Sequence, residues 1–284
     1  VDYDVLIIGG GPVGAALALA LTGSGLALGL LEARAPGAAA DARPIALSDG
    51  SRLILERLGV WERLAGATPI RRIHVSQRGG FGRVELDAGQ AGVPALGYVL
   101  DYGQISEVLA RALETRGGVD LIRATAGALE PGTDAAAVVI DAVGAGRASA
   151  RLLAVADGGA LPVARLRVRD YGQAAISARV SCSLPHRNVA YERFTPDGPL
   201  ALLPMAEALA LVWTTAPERA QQLCALTEAG FLARLQESFG NRLGGFKTAS
   251  GRAWFPLALK GADRIADPRT VVVDYSSPNL AKEM

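Results

Sequence analysis

The pattern of apolar and polar positions predicts a βαβ unit at the start of the chain. An apolar run at residues 5–8 is followed by glycines, by an alanine- and leucine-rich stretch, and by a second apolar run ending at Leu31. Short runs of β-branched residues and leucine are typical of buried parallel strands, and the stretch between them is typical of a connecting helix. The first 32 residues are therefore expected to form strand, helix and strand.

Three further stretches have the apolar spacing of amphipathic helices. One follows Arg43 to Ser48, with Ser48 or Asp49 as its N-cap and Gly59 near its end. The others are expected at residues 104–115, closed by Gly117 and Gly118, and at residues 228–239. The expected apolar sides are Leu53, Ile54, Leu58 and Trp61 for the first helix, Ile105, Val108, Leu109 and Leu113 for the second, and Phe231, Leu232, Leu235 and Phe239 for the third.

Alternating runs between these helices predict strands of two kinds. Residues 73–76 and 83–86 flank Gly79 and Gly80, which is the pattern of a β-hairpin, and residues 174–213 contain several alternating runs separated by turn signals. These segments predict an antiparallel sheet. Buried strands of the first unit are expected at residues 98–101, 138–141, 151–157 and 269–274, and residues 253–256 are expected to return the chain towards that unit.

Length and composition exclude several classes of function. The chain has 284 residues and a net charge of +1, so charge gives no argument for nucleic-acid binding. Cys182 and Cys224 lie far apart without zinc-like spacing, which fits a reducing, cytoplasmic setting. His74 and His186 lack a neighbouring ligand or a plausible catalytic serine, so both are interpreted as surface or packing residues and no metal is expected.

Gly9, Gly11 and Gly14 follow the first strand with the spacing G-x-G-x-x-G, which indicates dinucleotide binding. The first glycine allows a tight turn, the second lets a pyrophosphate approach the backbone, and the third lets the helix pack closely on the sheet. Glu32 follows the second strand, where an acid accepts hydrogen bonds from an adenosine ribose and disfavours a 2′-phosphate. FAD or NAD is therefore expected before NADP.

The main rival to this interpretation is a membrane span, because residues 5–31 carry no charge and exceed the ~20 residues that a spanning helix needs. The cluster from Gly9 to Pro12 and the glycines at 23, 25 and 29 would interrupt such a helix. No basic segment precedes the run, which also argues against a signal peptide.

Four segments resemble the FAD-dependent aromatic hydroxylases of ubiquinone biosynthesis, within the class of p-hydroxybenzoate hydroxylase. They are residues 9–14, residues 43–61, Ala156-Asp-Gly158 and residues 191–205, of which the last is the most discriminating. The resemblance runs from residue 2 to about residue 273. It implies an α/β fold in which a Rossmann-like FAD-binding domain is interleaved with an antiparallel β-sheet substrate domain. The implied FAD-binding domain comprises residues 1–70, 98–170 and 256–274, and the implied substrate domain comprises residues 71–97 and 171–255.

The resemblance assigns FAD contacts to Gly9, Gly11, Gly14, Glu32, Arg43, Gln104, Asp157 and Gly158. Without the family, Arg43 reads equally as a solvated loop arginine, and Asp157-Gly158 as a strand-ending turn. After Asp157 the sequence departs from the family's serine and arginine spacing. Phe194 and the region of Pro204 are implied to roof the substrate pocket, whereas Trp213 is interpreted as a core aromatic.

The implied activity is ring hydroxylation of a polyprenyl phenol through a flavin C4a-hydroperoxide, with oxygen and an external reductant, NAD(P)H. This chemistry needs no side-chain nucleophile, so no catalytic residue is named. The implied partners are the prenylated phenol, oxygen and enzymes of ubiquinone synthesis, with peripheral membrane contact left open. The sequence also leaves open a nucleotide-binding module that retains the ADP half of the site, and, more weakly, an NAD-dependent dehydrogenase.

The resemblance ends near Val273. The family's histidine, proline and Gly-Gln-Gly segment, which surround the flavin, are absent, and residues 275–284 form an atypical tail. That tail resembles the segment before the signature of arginyl-tRNA synthetase. A C-terminally truncated hydroxylase that binds FAD weakly or loses it is therefore expected.

Overall fold

The computed structural model describes residues 1–35, 43–130, 132–141, 146–158, 161, 166–262 and 265–273. Within these ranges the chain forms three β-sheets and five α-helices. The expected loop at residues 35–41 and the atypical tail at residues 275–284 lie outside the described residues, apart from Ala35.

The helices are α1 (Pro12–Leu21), α2 (Asp49–Arg57), α3 (Tyr102–Arg116), α4 (Pro217–Ala225) and α5 (Glu228–Phe239). The first nine strands are β1 (Tyr3–Ile8), β2 (Leu28–Leu31), β3 (Pro44–Ser48), β4 (Thr68–Ile70), β5 (Arg72–Gln77), β6 (Arg83–Asp87), β7 (Gly97–Asp101), β8 (Asp120–Ile122) and β9 (Thr125–Glu130). The other nine are β10 (Ala136–Asp141), β11 (Gly146–Val155), β12 (Leu166–Cys182), β13 (Val189–Thr195), β14 (Gly198–Met205), β15 (Ala208–Thr215), β16 (Phe246–Ala262), β17 (Ala266–Asp267) and β18 (Thr270–Val272).

The first sheet confirms the predicted βαβ unit. Its path runs β17-β18-β11-β1-β2-β8, and β1 pairs in parallel with both β2 and β11. Leu6, Ile7 and Leu153 are fully buried in these central strands, as expected for a sheet covered on both faces. Residues 5–31 therefore form a strand, a helix and a strand, and no helix of the described chain is both long and apolar enough to cross a membrane.

The second sheet has seven strands in the order β16-β12-β15-β14-β13-β5-β6. The predicted hairpin of β5 and β6 is confirmed, and β12 pairs antiparallel with β15. The expectation of an antiparallel sheet is wrong at one pair, because β5 joins the sheet through parallel pairing with β13. One face, which we call the helix face, packs Leu200, Leu202 and Trp213 against Phe231 and Leu235 of α5.

The opposite face of this sheet, which we call the front face, packs on a third sheet of order β3-β7-β4. Ala190, Leu203 and Ala210 of the front face form one apolar cluster with Ile70 and Val99 of the small sheet. An ion pair of 3.2 Å between Arg179 in β12 and Asp101 at the end of β7 also joins the two sheets. Leu100 of β7 packs in one cluster with Ala15 and Leu19 of α1, so the small sheet connects the βαβ unit to the seven-stranded sheet.

The expected apolar side of α2 is wrong in part. Leu53 and Ile54 are 41% and 56% exposed, whereas Leu55 and Leu58 are buried. The consecutive apolar residues Leu53, Ile54 and Leu55 cannot all face one side of a helix. Ile54 lies four residues before Leu58 and Leu55 lies three residues before it, and either spacing places a residue on the same side as Leu58. The spacing alone did not decide between Ile54 and Leu55. The expected N-cap is confirmed at Ser48, whose hydroxyl accepts a hydrogen bond from the Ser51 amide.

Strand pairing runs across two of the expected domain boundaries. β12 and β16 pair from Leu166 and Ala262 onwards, so residues 166–170 and 256–262 lie in the seven-stranded sheet and not in the first sheet. The division into two domains stays a prediction.

Candidate cofactor site

The turn after β1 requires glycine at two positions. Gly9 adopts a φ of +101°, in the region that glycine enters readily, and a side chain there would overlap the Ala156 carbonyl. A side chain at Gly14 would overlap the carbonyl of Gly9. These two glycines let the chain leave the strand and let α1 pack directly against the turn.

The beginning of α1 offers backbone donors to a ligand. Gly11 is the N-cap and has no side chain to bond the first amides, and the first turn carries no acidic side chain. The first N–H groups of a helix lack intrahelical partners and lie at the positive end of the helix dipole. Such a terminus suits an anion, in particular a phosphate.

Glu32 follows β2 and is 9% exposed. Its carboxylate accepts hydrogen bonds from the Arg34 backbone amide at 2.8 Å and from the Arg34 guanidinium at 3.1 Å. Burial acts to raise the pKa of Glu32, but the hydrogen bonds and charge of Arg34 outweigh it and leave the pKa below its usual value. Glu32 is therefore held as an anion at the edge of the glycine turn.

Asp157 and Gly158 follow β11, which lies beside β1. The Ala156 amide donates to the Ile8 carbonyl at 2.7 Å, which ties this turn to the end of β1. The Asp157 carboxylate accepts a hydrogen bond from the Leu161 amide, and Gly158 has a φ of +72°. The two turns face each other across the ends of adjacent parallel strands.

A cavity of about 550 Å³ lies where these turns meet. It brings together five of the predicted positions: Gly9, Gly11, Glu32, Asp157 and Gly158. The structure places Gly14 behind this wall, where it packs on Gly9. A concave site at the carboxyl ends of parallel strands is where open α/β sheets bind nucleotides.

Arg43 and Gln104 are not among the residues that line the cavity. Arg43 lies next to it, with its guanidinium carbon 5.6 Å from the ring centre of Tyr102, which does line it. The side-chain amide of Gln104 donates to the carbonyl of Ala65 and so points to another loop. The FAD contacts assigned to these two residues stay predictions.

The structure adds lining residues that the sequence reasoning missed, among them Arg34, Tyr102 and Thr125. Arg34 could have been predicted from the sequence, because it is a cation two residues after Glu32, the acid expected to bind the ribose. Tyr102 directly follows β7 at the start of α3. Thr125 begins β9 and belongs to no motif, so its place in the wall depends on long-range folding.

On the substrate side, Trp213 is buried as expected and packs against Phe231, with ring centres 6.1 Å apart. Phe194 is 48% exposed on the front face, so it is not a core aromatic. His74 is buried against Tyr191 at a ring distance of 5.7 Å, which fits the packing role expected for it.

Comparison with known proteins gives a family match over most of the chain. Residues 2–258 match the family model described as the FAD binding domain. A ubiquinone hydroxylase, UbiL, of Rhodospirillum rubrum is 32% identical over 286 residues, covering 95% of this chain and 65% of that protein. The 3-demethoxyubiquinol 3-hydroxylase of Escherichia coli is 30% identical over 284 residues, covering 95% of this chain and 72% of that protein. The chain thus spans about two thirds of the length of these relatives.

Solved structures share the fold at lower sequence identity. The p-nitrophenol 4-monooxygenase PnpA of Pseudomonas putida superposes with a TM-score of 0.74 at 16% identity, covering 95% of this chain and 71% of that one. The flavin-dependent monooxygenase PieE, solved with FAD and substrate, gives 0.73 at 20% identity and covers 97% of this chain and 53% of that one. These likenesses establish a flavin monooxygenase fold of the p-hydroxybenzoate hydroxylase type.

Proposed function

The chain belongs to the FAD binding domain family, and on that premise we propose that it is part of an FAD-dependent ring hydroxylase of ubiquinone biosynthesis. The observation that carries the proposal is the 30% identity to a 3-demethoxyubiquinol 3-hydroxylase along 95% of the chain. The proposed substrate is a polyprenyl phenol, and the proposed external reductant is NAD(P)H. When bound, FAD supplies the oxygen-activating redox chemistry of the hydroxylation.

The cavity at the glycine turn fits the ADP half of FAD. We propose that the uncapped amides at the start of α1 bind the pyrophosphate, since a Cβ at Gly9 or Gly14 would fill the turn that exposes them. The Glu32 carboxylate, held ionised by Arg34, accepts the ribose hydroxyls. Arg34 and Thr125 lie at the wall that would meet the adenine side, and Asp157-Gly158 closes the opposite wall.

The remaining predicted contacts belong to the same proposal. Arg43, stacked near Tyr102, is close enough to the cavity for its charge to act on a bound phosphate. Gln104 would have to release the Ala65 carbonyl before it could contact FAD. In the proposed division, the first sheet holds FAD and the seven-stranded sheet holds the substrate, with the small sheet between them.

We further propose that the protein meets a lipid surface through the tip of the β5–β6 hairpin, because a polyprenyl substrate resides in lipid. The support is the segment Arg78-Gly-Gly-Phe-Gly-Arg83, in which Phe81 is fully exposed between two arginines. An exposed aromatic ring beside cations is the arrangement that partitions into an anionic membrane interface.

A nucleotide-binding module with only the ADP half of the site is the second candidate, and it is favoured by the position of the described cavity at the glycine turn, where an ADP group alone would bind. Titration of the purified chain with FAD, ADP and NAD, followed by tryptophan and flavin fluorescence, separates the two. A flavin enzyme should bind FAD at least about tenfold more tightly than ADP, a difference of about 1.4 kcal/mol. Equal affinities for FAD and ADP would favour the module and contradict the hydroxylase.

A further inference from the structure

Glu192 is an acid on the front face of the seven-stranded sheet. It lies in β13 between Tyr191, whose ring belongs to the helix-face core, and Arg193. Successive side chains of a strand point to opposite faces, so Glu192 shares its face with Ala190 and Phe194. Ala190 packs against the small sheet, which fixes the direction in which the Glu192 carboxylate points.

The surroundings of Glu192 are apolar. Its partners across the sheet are Val75 in β5 and Ala201 in β14. Among the described residues, its carboxylate has no hydrogen-bond donor or cation within bonding distance. Glu192 is half-buried, so its carboxylate loses part of its hydration without gaining a protein partner. That loss costs free energy, which a hydrogen bond from a ligand would offset.

The small sheet covers the front face only as far as the neighbourhood of Glu192. Ala190, two residues before it, is 3% exposed beneath the small sheet, whereas Phe194, two residues after it, is 48% exposed. Val84 and Leu86 of β6, paired with Val75 and Ile73, continue the apolar surface towards the hairpin tip and are exposed. A flat molecule can therefore lie against the sheet with one edge at the carboxylate.

We propose that Glu192 binds the hydroxyl group of the phenol substrate and accepts its proton, with the ring lying on Val75 and Ala201. This assignment rests on the proposed hydroxylase function. In the step, the phenol O–H bond breaks, its electron pair stays on the phenol oxygen, and the proton moves to an Oε atom of Glu192. The products are a neutral carboxyl group and a phenolate, whose ring carbons are richer in electrons and react more readily with an electrophilic oxygen.

The environment of Glu192 suits it to this role. Burial raises the pKa of Glu192 above its usual value, and no charged group opposes the shift. A base whose pKa lies closer to neutrality accepts a phenol proton more favourably than an ordinary surface carboxylate does. Val84 and Leu86 give the prenyl chain an apolar path away from the ring.

Binding of 4-nitrophenol to the chain saturated with FAD tests the assignment, because the phenol and phenolate forms of this probe differ in visible absorbance. In the proposed complex, Glu192 and the phenol oxygen hold one proton between them, whereas a phenolate and an ionised carboxylate repel each other. Affinity of the wild type should therefore fall about tenfold or more as the pH rises through the probe's own ionisation. In Glu192→Gln the fall should disappear, because the amide carries no charge.

Two controls isolate the interaction. The probe 4-nitroanisole has no hydroxyl group, so its binding should be independent of pH and equal in wild type and Glu192→Gln. Glu85→Gln removes an acid from the opposite face of the same sheet and should keep the wild-type profile. If Glu192→Gln fails to fold, Glu192→Asp serves instead and should retain the fall with weaker binding at every pH.

The assignment is overturned if Glu192→Gln keeps the wild-type pH profile, or if the wild type binds nitroanisole as tightly as nitrophenol at a pH below the ionisation of nitrophenol. Flavin fluorescence first establishes saturation with FAD. A failure to bind FAD bears on the proposed cofactor site and not on Glu192, because the probe titration without FAD then still decides the role of Glu192.

Discussion

Gly11 differs from the two other motif glycines in having room for a methyl group. Its φ is −64°, and a Cβ would meet only the Tyr102 hydroxyl, at an ordinary 3.5 Å. The protein itself therefore tolerates alanine at this position. A bound pyrophosphate would not, because its oxygens need direct approach to the α1 amides.

Gly11→Ala is accordingly expected to weaken FAD binding by about tenfold or more, or about 1.4 kcal/mol, with little change in melting temperature. Flavin fluorescence titration and thermal unfolding without cofactor measure the two effects. Gly245→Ala is the matched control, since its Cβ would enter open space, and it should leave FAD binding unchanged. Unaltered FAD affinity in Gly11→Ala would place the pyrophosphate elsewhere.

Sequence reasoning found the site residues that are fixed by local spacing. Gly9, Gly11 and Glu32 belong to one βαβ unit, whose geometry follows from about thirty consecutive residues. Asp157 reaches the same cavity because β11 pairs with β1, and the family resemblance supplied that link. Thr125 belongs to no motif, and Glu192 lies within the family segment at residues 191–205 but received no role there. The significance of both residues comes from neighbours distant in sequence.

Among the elements, the β5–β6 hairpin combines an exposed aromatic side chain with positive charge. Arg193, hydrogen-bonded to Ser76 behind the tip, has its pKa lowered by burial and then by the charges of Arg242 and Arg78. Arg78 and Arg83 each form an ion pair, with Glu237 at 3.4 Å and with Glu85 at 3.2 Å, which offsets part of the positive charge. A repulsion of Arg193 by Arg242 and Arg78 remains. An anionic lipid surface would relieve it.

We expect Phe81→Ser to reduce binding to anionic phospholipid vesicles about tenfold, as burying a phenyl ring contributes about 1.5–3 kcal/mol. Arg78→Gln with Arg83→Gln should lower it further, by about 1 kcal/mol for each arginine. Co-sedimentation with vesicles containing phosphatidylserine measures both. Ile54→Ser, which removes an exposed apolar side chain from α2, should have no effect. Equal sedimentation of all variants would rule out the hairpin as the contact.

Element prediction succeeded where one face of a strand or helix is uniformly apolar. Helix α5 begins and ends at the expected residues because Phe231, Leu235 and Phe239 mark its buried side and Thr227 caps it. The small sheet was not predicted, because β3, β4 and β7 pair across gaps in sequence that no local pattern encodes. The buried side of α2 depended on the same long-range packing.

At the scale of the whole molecule, the small sheet covers only part of the front face of the seven-stranded sheet. The apolar cluster around Ala190 and Val99 and the pair of Arg179 with Asp101 fix the small sheet against the large one. Beyond this contact the sheet stays open at Glu192. A half-buried acid at that boundary lowers stability and leaves a binding surface, as functional sites commonly do.

The raised pKa of Glu192 predicts how the stability of the protein varies with pH. The pKa of Glu192 is raised above the usual 4.5 by burial, so the folded protein holds its proton more tightly than the unfolded chain does. The contribution of Glu192 to the free energy of unfolding is then fully present below about pH 4.5 and is lost as the pH rises through the folded pKa.

The side chain in Glu192→Gln cannot ionise, so this variant does not lose stability as the pH rises. Its melting temperature should therefore equal that of the wild type in acid and exceed it at pH 7 to 8, where single-residue changes of this kind are worth about 0.5–3 kcal/mol. Thermal unfolding of both proteins across this pH range gives the comparison. A variant less stable than the wild type at pH 8 would mean that the carboxylate has a stabilising partner, and the front face would then not be free to take a phenol.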